Sequence, residues 1–310
     1  MFFFPFRLWE GGIFHEHLHR LVASGLGLWT LVLAVWISFG TSARRLRILA
    51  WLAVFTVVVQ GVLGGKRVLL NSVDVLSVPG SIFFGGLHAT TAQVFLVLLS
   101  TIALMTSRFW QKLVPQVGAT PSGKSAALTL LAIGTLAQLV VAATMRHQHA
   151  GLAIPDFPLA YGQVVPRTDP QALAEINQRR VGVVDDSPVS AFQIWLQMLH
   201  RVVAVLLVVS AFLLACRTSQ ESPSWSRCLR LLAFLFGIQF CLGAATIWTN
   251  KAADVATAHV AVGATILSVA SVLAVARFSA ERQRTRAFKP CPEPNALLKT
   301  SAAPAGGHLS

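Results

Sequence analysis

The 310-residue chain is short of charge: Asp, Glu, Lys and Arg make up 12% of it, while 55% is hydrophobic and the mean hydropathy is +0.65. So little charge cannot cover a water-soluble domain of this length, and the composition indicates a membrane protein. Acidic groups are the scarcer kind, 12 against 25 Lys and Arg, which leaves a formal net charge of +13. An excess of this sign can signal nucleic acid, but a nucleic-acid reader gathers its cations on one folded basic face. Here they sit in short stretches between apolar runs, which excludes nucleic acid as a partner. Cysteine is scarce too. Cys216, Cys228 and Cys241 fall in or beside apolar runs and Cys291 lies in the tail, so no external pair is available for a disulfide. A secretory signal peptide is missing, because "MFFFPFRLWE" has neither a basic n-region nor a small-residue cleavage site.

Long apolar runs are what the chain has in plenty. A transmembrane helix needs about 20 of them in a row, and seven stretches qualify, at about 19–39, 47–64, 85–106, 125–146, 195–216, 229–247 and 257–277. The predicted fold is all-α, a polytopic transmembrane helix bundle in the lipid bilayer. Fifteen Lys and Arg fall in the loops and tail on one side (Arg44, Arg45, Arg47, Arg108, Lys112, Lys124, Arg217, Arg227, Arg230, Arg277, Arg282, Arg284, Arg286, Lys289 and Lys299). Eight fall on the other: Arg7, Lys66, Arg67, Arg146, Arg167, Arg179, Arg180 and Lys251. The positive-inside rule then places the C-terminus in the cytoplasm.

The chain also repeats itself. "EHLHRLVA" at 16–23 returns as "QMLHRVVA" at 197–204, "QGVLGG" at 60–65 as "QFCLGA" at 239–244, and "GLHATTAQ" at 86–93 as "TAHVAVGA" at 257–264. Each half thus carries a His span, a plain span and a second His span. The span at 125–146 and its trailing "RHQHAGLAIPDFPLAYGQVVP" precede the second repeat, and nothing equivalent precedes the first. The expectation is two similar four-helix halves of the same orientation, with the first helix of the N-terminal half missing and the N-terminus outside. The boundaries read as 1–110 for the N-terminal half-bundle, 111–277 for the C-terminal half-bundle with its external loop 147–194, and 278–310 for a basic cytoplasmic tail drawn to anionic lipid.

Alternating spans put His19, His88, His200 and His259 in one external leaflet, within the first turn or two of their helices. Histidine inside a span is costly and commonly functional. Four of them, two per repeat at one depth, read as paired ligands. Zinc takes three or four protein ligands, and no Cys or carboxylate stands beside His200 and His259 to complete such a set. Haem iron needs two axial ligands and an apolar slot between helices, so two bis-histidine haem sites is the economical hypothesis. The halves are not chemically equal: Glu16-x-x-His19-Arg20 stands against Gln197-x-x-His200-Arg201. Residues i and i+3 share a helix face, so Glu16 projects toward whatever His19 binds; the alternative is a solvated carboxylate favoured by the helix dipole. Arg20 and Arg201 suit haem propionates, and lipid phosphate equally.

These residues together resemble the haem A synthase family, which converts haem O to haem A for terminal oxidases. The resemblance rests on E-x-x-H-R at 16–20, "LHR" at 199–201, the histidines at 88 and 259 and "GLAIPDFPLAYG" at 151–162, and it covers residues 5 to about 277. It implies an eight-helix bundle of two halves, with His200 and His259 ligating a haem b in the C-terminal half. It implies that His19 and His88 face the substrate haem O, with Glu16 as the catalytic carboxylate, and that a porphyrin methyl is oxidised to formyl through a hydroxymethyl stage. As partners it implies an electron donor of unknown identity, haem O synthase and oxidase assembly factors, in a bacterial plasma membrane; homo-oligomerisation is left open. Two departures stand out: the family's first helix, with a first G-L-A-x-P-D copy, is absent, and so are the external cysteine pairs of some members. The competing readings are a non-enzymatic bis-His diheme cytochrome and a transporter with binding-site histidines. His147 and His149 read as a lid over the C-terminal half or as a surface loop, His15 and His17 as interfacial bystanders. The 167–190 stretch, with Asp169, Glu175, Asp185 and Asp186, reads as a partly disordered polar insert.

Overall fold

A computed structural model of the protein describes residues 11–70, 73–75, 78–116, 124–180, 187–217 and 221–287. They form α1 (Gly11–Gly40), α2 (Arg44–Leu69), a two-stranded hairpin of β1 (Asp74–Val75) and β2 (Val78–Pro79), α3 (Gly80–Thr106), α4 (Arg108–Leu113), α5 (Lys124–His147), α6 (Pro170–Gln178), α7 (Ala191–Cys216), α8 (Pro223–Trp248) and α9 (Ala253–Ala287). Apart from that minimal hairpin the architecture is all-α. By length and composition α1, α2, α3, α5, α7, α8 and α9 can each cross a membrane. The chain is an integral membrane protein. Large apolar side chains on the outer faces, such as Trp36 and Phe39, are exposed as lipid-facing groups are expected to be.

The helices outrun their apolar stretches, α7 through a capping box of Ser190 and Gln193 and α8 through Ser222 with Pro223. Three of the four histidines are deeper than the apolar runs suggest. His19 is the ninth residue of α1, His88 the ninth of α3, His200 the tenth of α7 and His259 the seventh of α9. At 1.5 Å per residue this is about 9–14 Å from each helix start, beyond two turns for His19, His88 and His200 and within the expected two for His259. At the far end α9 runs on to Ala287, so the first ten residues of the expected tail continue a helix; Cys291, Lys289 and Lys299 lie outside the described residues, as do Arg7, Asp185 and Asp186.

Two apolar cores form. Ala34 and Ile37 of α1, Leu46, Ala50 and Ala53 of α2, and Phe95 and Ile102 of α3 make one. The larger joins α5, α7, α8 and α9 around Leu128, Leu207, Leu232, Ile266 and the fully buried Trp225, whose indole Nε1 donates to the Leu113 carbonyl at 3.1 Å. Contacts of α3 with α5 and α9 bring the two together. Part of the polar insert is helical, and residues 181–186 of it lie outside the described residues. Asp169 accepts from the Ala172 amide, Pro170 follows at the first helical position, and α6 results.

Candidate functional site

Because successive spans alternate in direction, α1, α3, α7 and α9 all begin at the same end, and their four histidines gather there. In the N-terminal half the rings of His19 and His88 stand 6.4 Å apart between centroids, with their planes at 82°. Two imidazoles each about 2 Å from one ion have ring centres about 6 Å apart, so the separation suits a single ion between them. His88 Nδ1 lies 3.2 Å from the backbone carbonyl of Gln60. A carbonyl can only accept, so the proton sits on Nδ1 and the Nε2 lone pair is left for a ligand. The Gln60 amide in turn donates to the His88 carbonyl at 2.8 Å. His19 is exposed and His88 half-buried, so this pair is open.

In the C-terminal half His200 and His259 are half-buried and within electrostatic reach of each other. Gln138 of α5 donates to the His200 carbonyl at 2.8 Å and lies 3.0 Å from its Nδ1. Gln239 of α8 places its amide 3.5 Å from His259 Nε2. Among the described residues no group of three or more His, Cys, Asp or Glu side chains converges. Two nitrogen donors per half fit haem iron better than zinc. So does the space around them: a Cβ added at Gly64 or Gly243 would press on the His88 or His259 ring.

The stretch after α5 packs as a cover over this half, although His149 itself is exposed. Ala150, Ala153, Ile154 and Ala160 are buried and form a third cluster with Met145, Val189 and Ile194. The Asp156 carboxylate accepts from the amides of Tyr161 at 2.7 Å and Gly162 at 2.9 Å, closing a turn in which both residues have positive φ. The Tyr161 hydroxyl donates to the Ala153 carbonyl. Burial pushes that phenol above its ordinary value, keeping it a donor. Arg180 Nη1 holds the Leu152 carbonyl at 2.9 Å, and Trp248 Nε1 the Phe157 carbonyl at 3.3 Å. His147 ends α5 with its ring packed on Gly85, three residues before His88.

Helix α7 latches this cover through the residues that flank His200. Gln197, 2% exposed, accepts from the Ile154 amide at 2.6 Å and donates to the carbonyls of Gly151 at 3.3 Å and Ile154 at 3.2 Å. Arg201 donates to the carbonyls of Leu159 at 2.8 Å and Asp156 at 2.7 Å. An amide is required at 197 because the position must both give and take hydrogen bonds; a carboxylate could only accept. In the first half the matching residues satisfy each other: Arg20 donates to Glu16 in an exposed i,i+4 ion pair. Arg201 therefore holds loop carbonyls, and Glu16 sits on an open surface beside His19. His17, expected as a bystander, is the buried histidine of α1, whereas His15 is exposed. The residues that sequence reasoning missed are the glutamines at 60, 138 and 239. The repeated Q-x-x-x-G in the plain spans was the signal for Gln60 and Gln239, and Gln138 carries no such pattern.

The comparisons with known proteins agree with one another. The family model described as cytochrome oxidase assembly protein (COX15-CtaA) matches residues 10–271. Three curated relatives are named "Heme A synthase". That of Shouchella clausii is 28% identical over 246 residues, 76% of this chain and 70% of that protein. Those of Halalkalibacterium halodurans and Symbiobacterium thermophilum are each 31% identical, over 157 and 161 residues. The matched stretches cover 49% and 51% of this chain, and about half of each of those two proteins (48% and 51%).

Proposed function

The chain belongs to the cytochrome oxidase assembly protein family, an oxidoreductase family of haem A biosynthesis, and from that membership we propose that it oxidises a methyl group of haem O to the formyl group of haem A. The observation that carries the reading is the duplicated histidine pair, open in one half and covered in the other. A substrate must enter and leave, and the open pair, His19 and His88, is where haem O binds. A resident cofactor must stay, and the covered pair, His200 and His259, holds a haem b under the cover latched by Gln197 and Arg201. Haem b, when bound, supplies a one-electron relay. Glu16 is the carboxylate at the reacting edge. Paired with Arg20 on an open surface, it is released when an anionic propionate of the substrate takes the guanidinium, and then accepts a proton as the methyl is oxidised.

The excess of Lys and Arg on the loops opposite the histidines supports a cytoplasmic C-terminus and an external haem-bearing end in a bacterial plasma membrane. Its partners are then the enzyme that makes haem O and the factors that assemble the oxidase.

The test is to express the chain with a supply of haem O, extract the pigments and identify them by mass. Formyl or hydroxymethyl haem is expected, and Glu16→Ala is expected to stop conversion while the C-terminal haem b remains. Bis-imidazole spectra with unmodified haem alone would instead identify a diheme electron carrier.

A further inference from the structure

The plain spans α2 and α8, between the two histidine helices of each half, carry the same four-residue device. Gln60 and Gly64 share one face of α2, and Gln239 and Gly243 share the corresponding face of α8, each pair at i and i+4. In the first half the Gln60 side chain donates to the His88 carbonyl at 2.8 Å and its own carbonyl faces His88 Nδ1 at 3.2 Å. One turn on, a Cβ at Gly64 would stand 3.3 Å from His88 Cε1. In the second half the Gln239 amide lies 3.5 Å from His259 Nε2 and its backbone carbonyl is directed toward the ring, with Nδ1 outside hydrogen-bonding geometry. A Cβ at Gly243 would stand 3.2 Å from His259 Cε1. The side-chain carbonyl oxygens of Gln60 and Gln239 are both buried without a hydrogen-bond partner, an expensive arrangement to place twice at equivalent positions.

We infer that Gln60 with Gly64 and Gln239 with Gly243 are duplicated cradles that set the ring plane and depth of His88 and His259, making them positioning residues for the two haem sites. The inference rests on the proposed haem chemistry. It goes beyond that chemistry in naming what orients the second ligand of each pair. The glycine admits the imidazole to the helix surface, and the glutamine fixes its approach. At 3.2–3.3 Å a methyl group obliges the ring to move by a few tenths of an ångström. Outer-shell partners of metal-bound histidines typically change affinity by about 10–100-fold when altered.

The experiment uses the full chain purified with haem b. It reads the low-spin electron paramagnetic resonance signal and the transfer of haem b to a scavenging apoprotein, with haem O affinity measured separately. Gly243→Ala and Gln239→Leu are expected to alter the signal and weaken haem b retention by about 10–100-fold. Gly64→Ala and Gln60→Leu are expected to weaken haem O binding by a similar factor and leave haem b unchanged. The controls are Gly61→Ala and Gly65→Ala, where an added Cβ meets nothing within 4 Å, and Gly237→Ala, where it meets Phe212 at 3.9 Å. They should behave as wild type. A wild-type signal and affinity in Gly243→Ala, or equal effects in Gly237→Ala, overturns the cradle. A wild-type chain that holds bis-imidazole haem b but makes no haem A overturns the enzymatic reading while the cradle is still judged by spectra. A chain that takes up no haem overturns both.

Discussion

Exchanging Glu and Gln between positions 16 and 197 is one chemical change made in two settings, and the structure assigns it opposite consequences. In Gln197→Glu the contact from the Ile154 amide survives, but both donated bonds, to the carbonyls of Gly151 and Ile154, are lost. The Ile154 carbonyl keeps a contact from Arg201 at 3.5 Å, so one acceptor, that of Gly151, is left unsatisfied, at about 1–3 kcal/mol, all of it on the cover. At 1.4 kcal/mol per decade, the smaller figure already means about fivefold more frequent opening. Amide hydrogen exchange across 150–163 in the detergent-solubilised protein reads this directly, with Ile154 as the reporter because its N–H is held by residue 197. Acid should partly restore protection in the variant, since a protonated carboxyl regains one donor. Glu16→Gln removes an exposed ion pair worth about 0–1 kcal/mol and touches no cover, so its exchange over 150–163 should match wild type. Unchanged exchange at Ile154 in Gln197→Glu, or an equal rise in Glu16→Gln, would refute the latch.

Two further expectations concern stability. At the end of the bundle opposite the histidines, Glu221 is 1% exposed and accepts from Lys124 at 2.9 Å and from Arg277 at 2.8 Å. Burial alone would raise its carboxyl, but the bonds from Lys124 and Arg277 outweigh burial and hold it below the ordinary value. A lowered folded value means that this stabilisation is complete above the ordinary carboxylate range and is lost as pH falls through the lowered one. Thermal unfolding should therefore weaken in that acid window, and Glu221→Gln should flatten the dependence. Glu221→Ala should cost about 3–5 kcal/mol at neutral pH, as expected for removing one member of a buried pair; a loss below 1 kcal/mol would contradict the burial. Separately, Gly85→Ala places a Cβ 2.5 Å from His147 Cε1. It should destabilise the α3–α5 contact by about 1–3 kcal/mol in a thermal melt, and His147→Ala should relieve the clash in the double variant.

The seven spans and the repeat were legible in the sequence because both are one-dimensional signals: apolar length and recurrence. That the four histidines share one end followed from strict alternation of spans. The depth of His200 was not legible, because capping by Ser190 and Gln193 lengthens α7 beyond its apolar run. Helix α6 was written in Asp169-Pro170, an N-cap followed by a first-turn proline, yet the charge of the surrounding insert argued for disorder. Side-chain partners across helices were the least legible. Arg201 suited a propionate or a lipid phosphate equally from spacing, and only the folded cover supplies the carbonyls of Leu159 and Asp156 that it holds. His17 is buried while its neighbour His19 is exposed, a matter of how α1 is rotated against α2 that no local pattern announces.

The structure gives the duplicated site a physical reason to have diverged. Both halves keep two histidines, a glutamine and a glycine at matching positions on three helices, as the proposed haem ligation asks of each. They differ in what surrounds the first histidine. Where Gln197 and Arg201 turn their donors to a buried loop, the site is covered, which suits the proposed resident haem. Where Glu16 and Arg20 turn to each other on an exposed surface, both charges remain available to an entering anionic molecule. Glutamate at 197 would loosen the cover, and glutamine at 16 would remove the proton acceptor that the proposed reaction uses. On that proposal, the Glu–Gln difference between the repeats separates a site suited to retain its haem from a site suited to act on one.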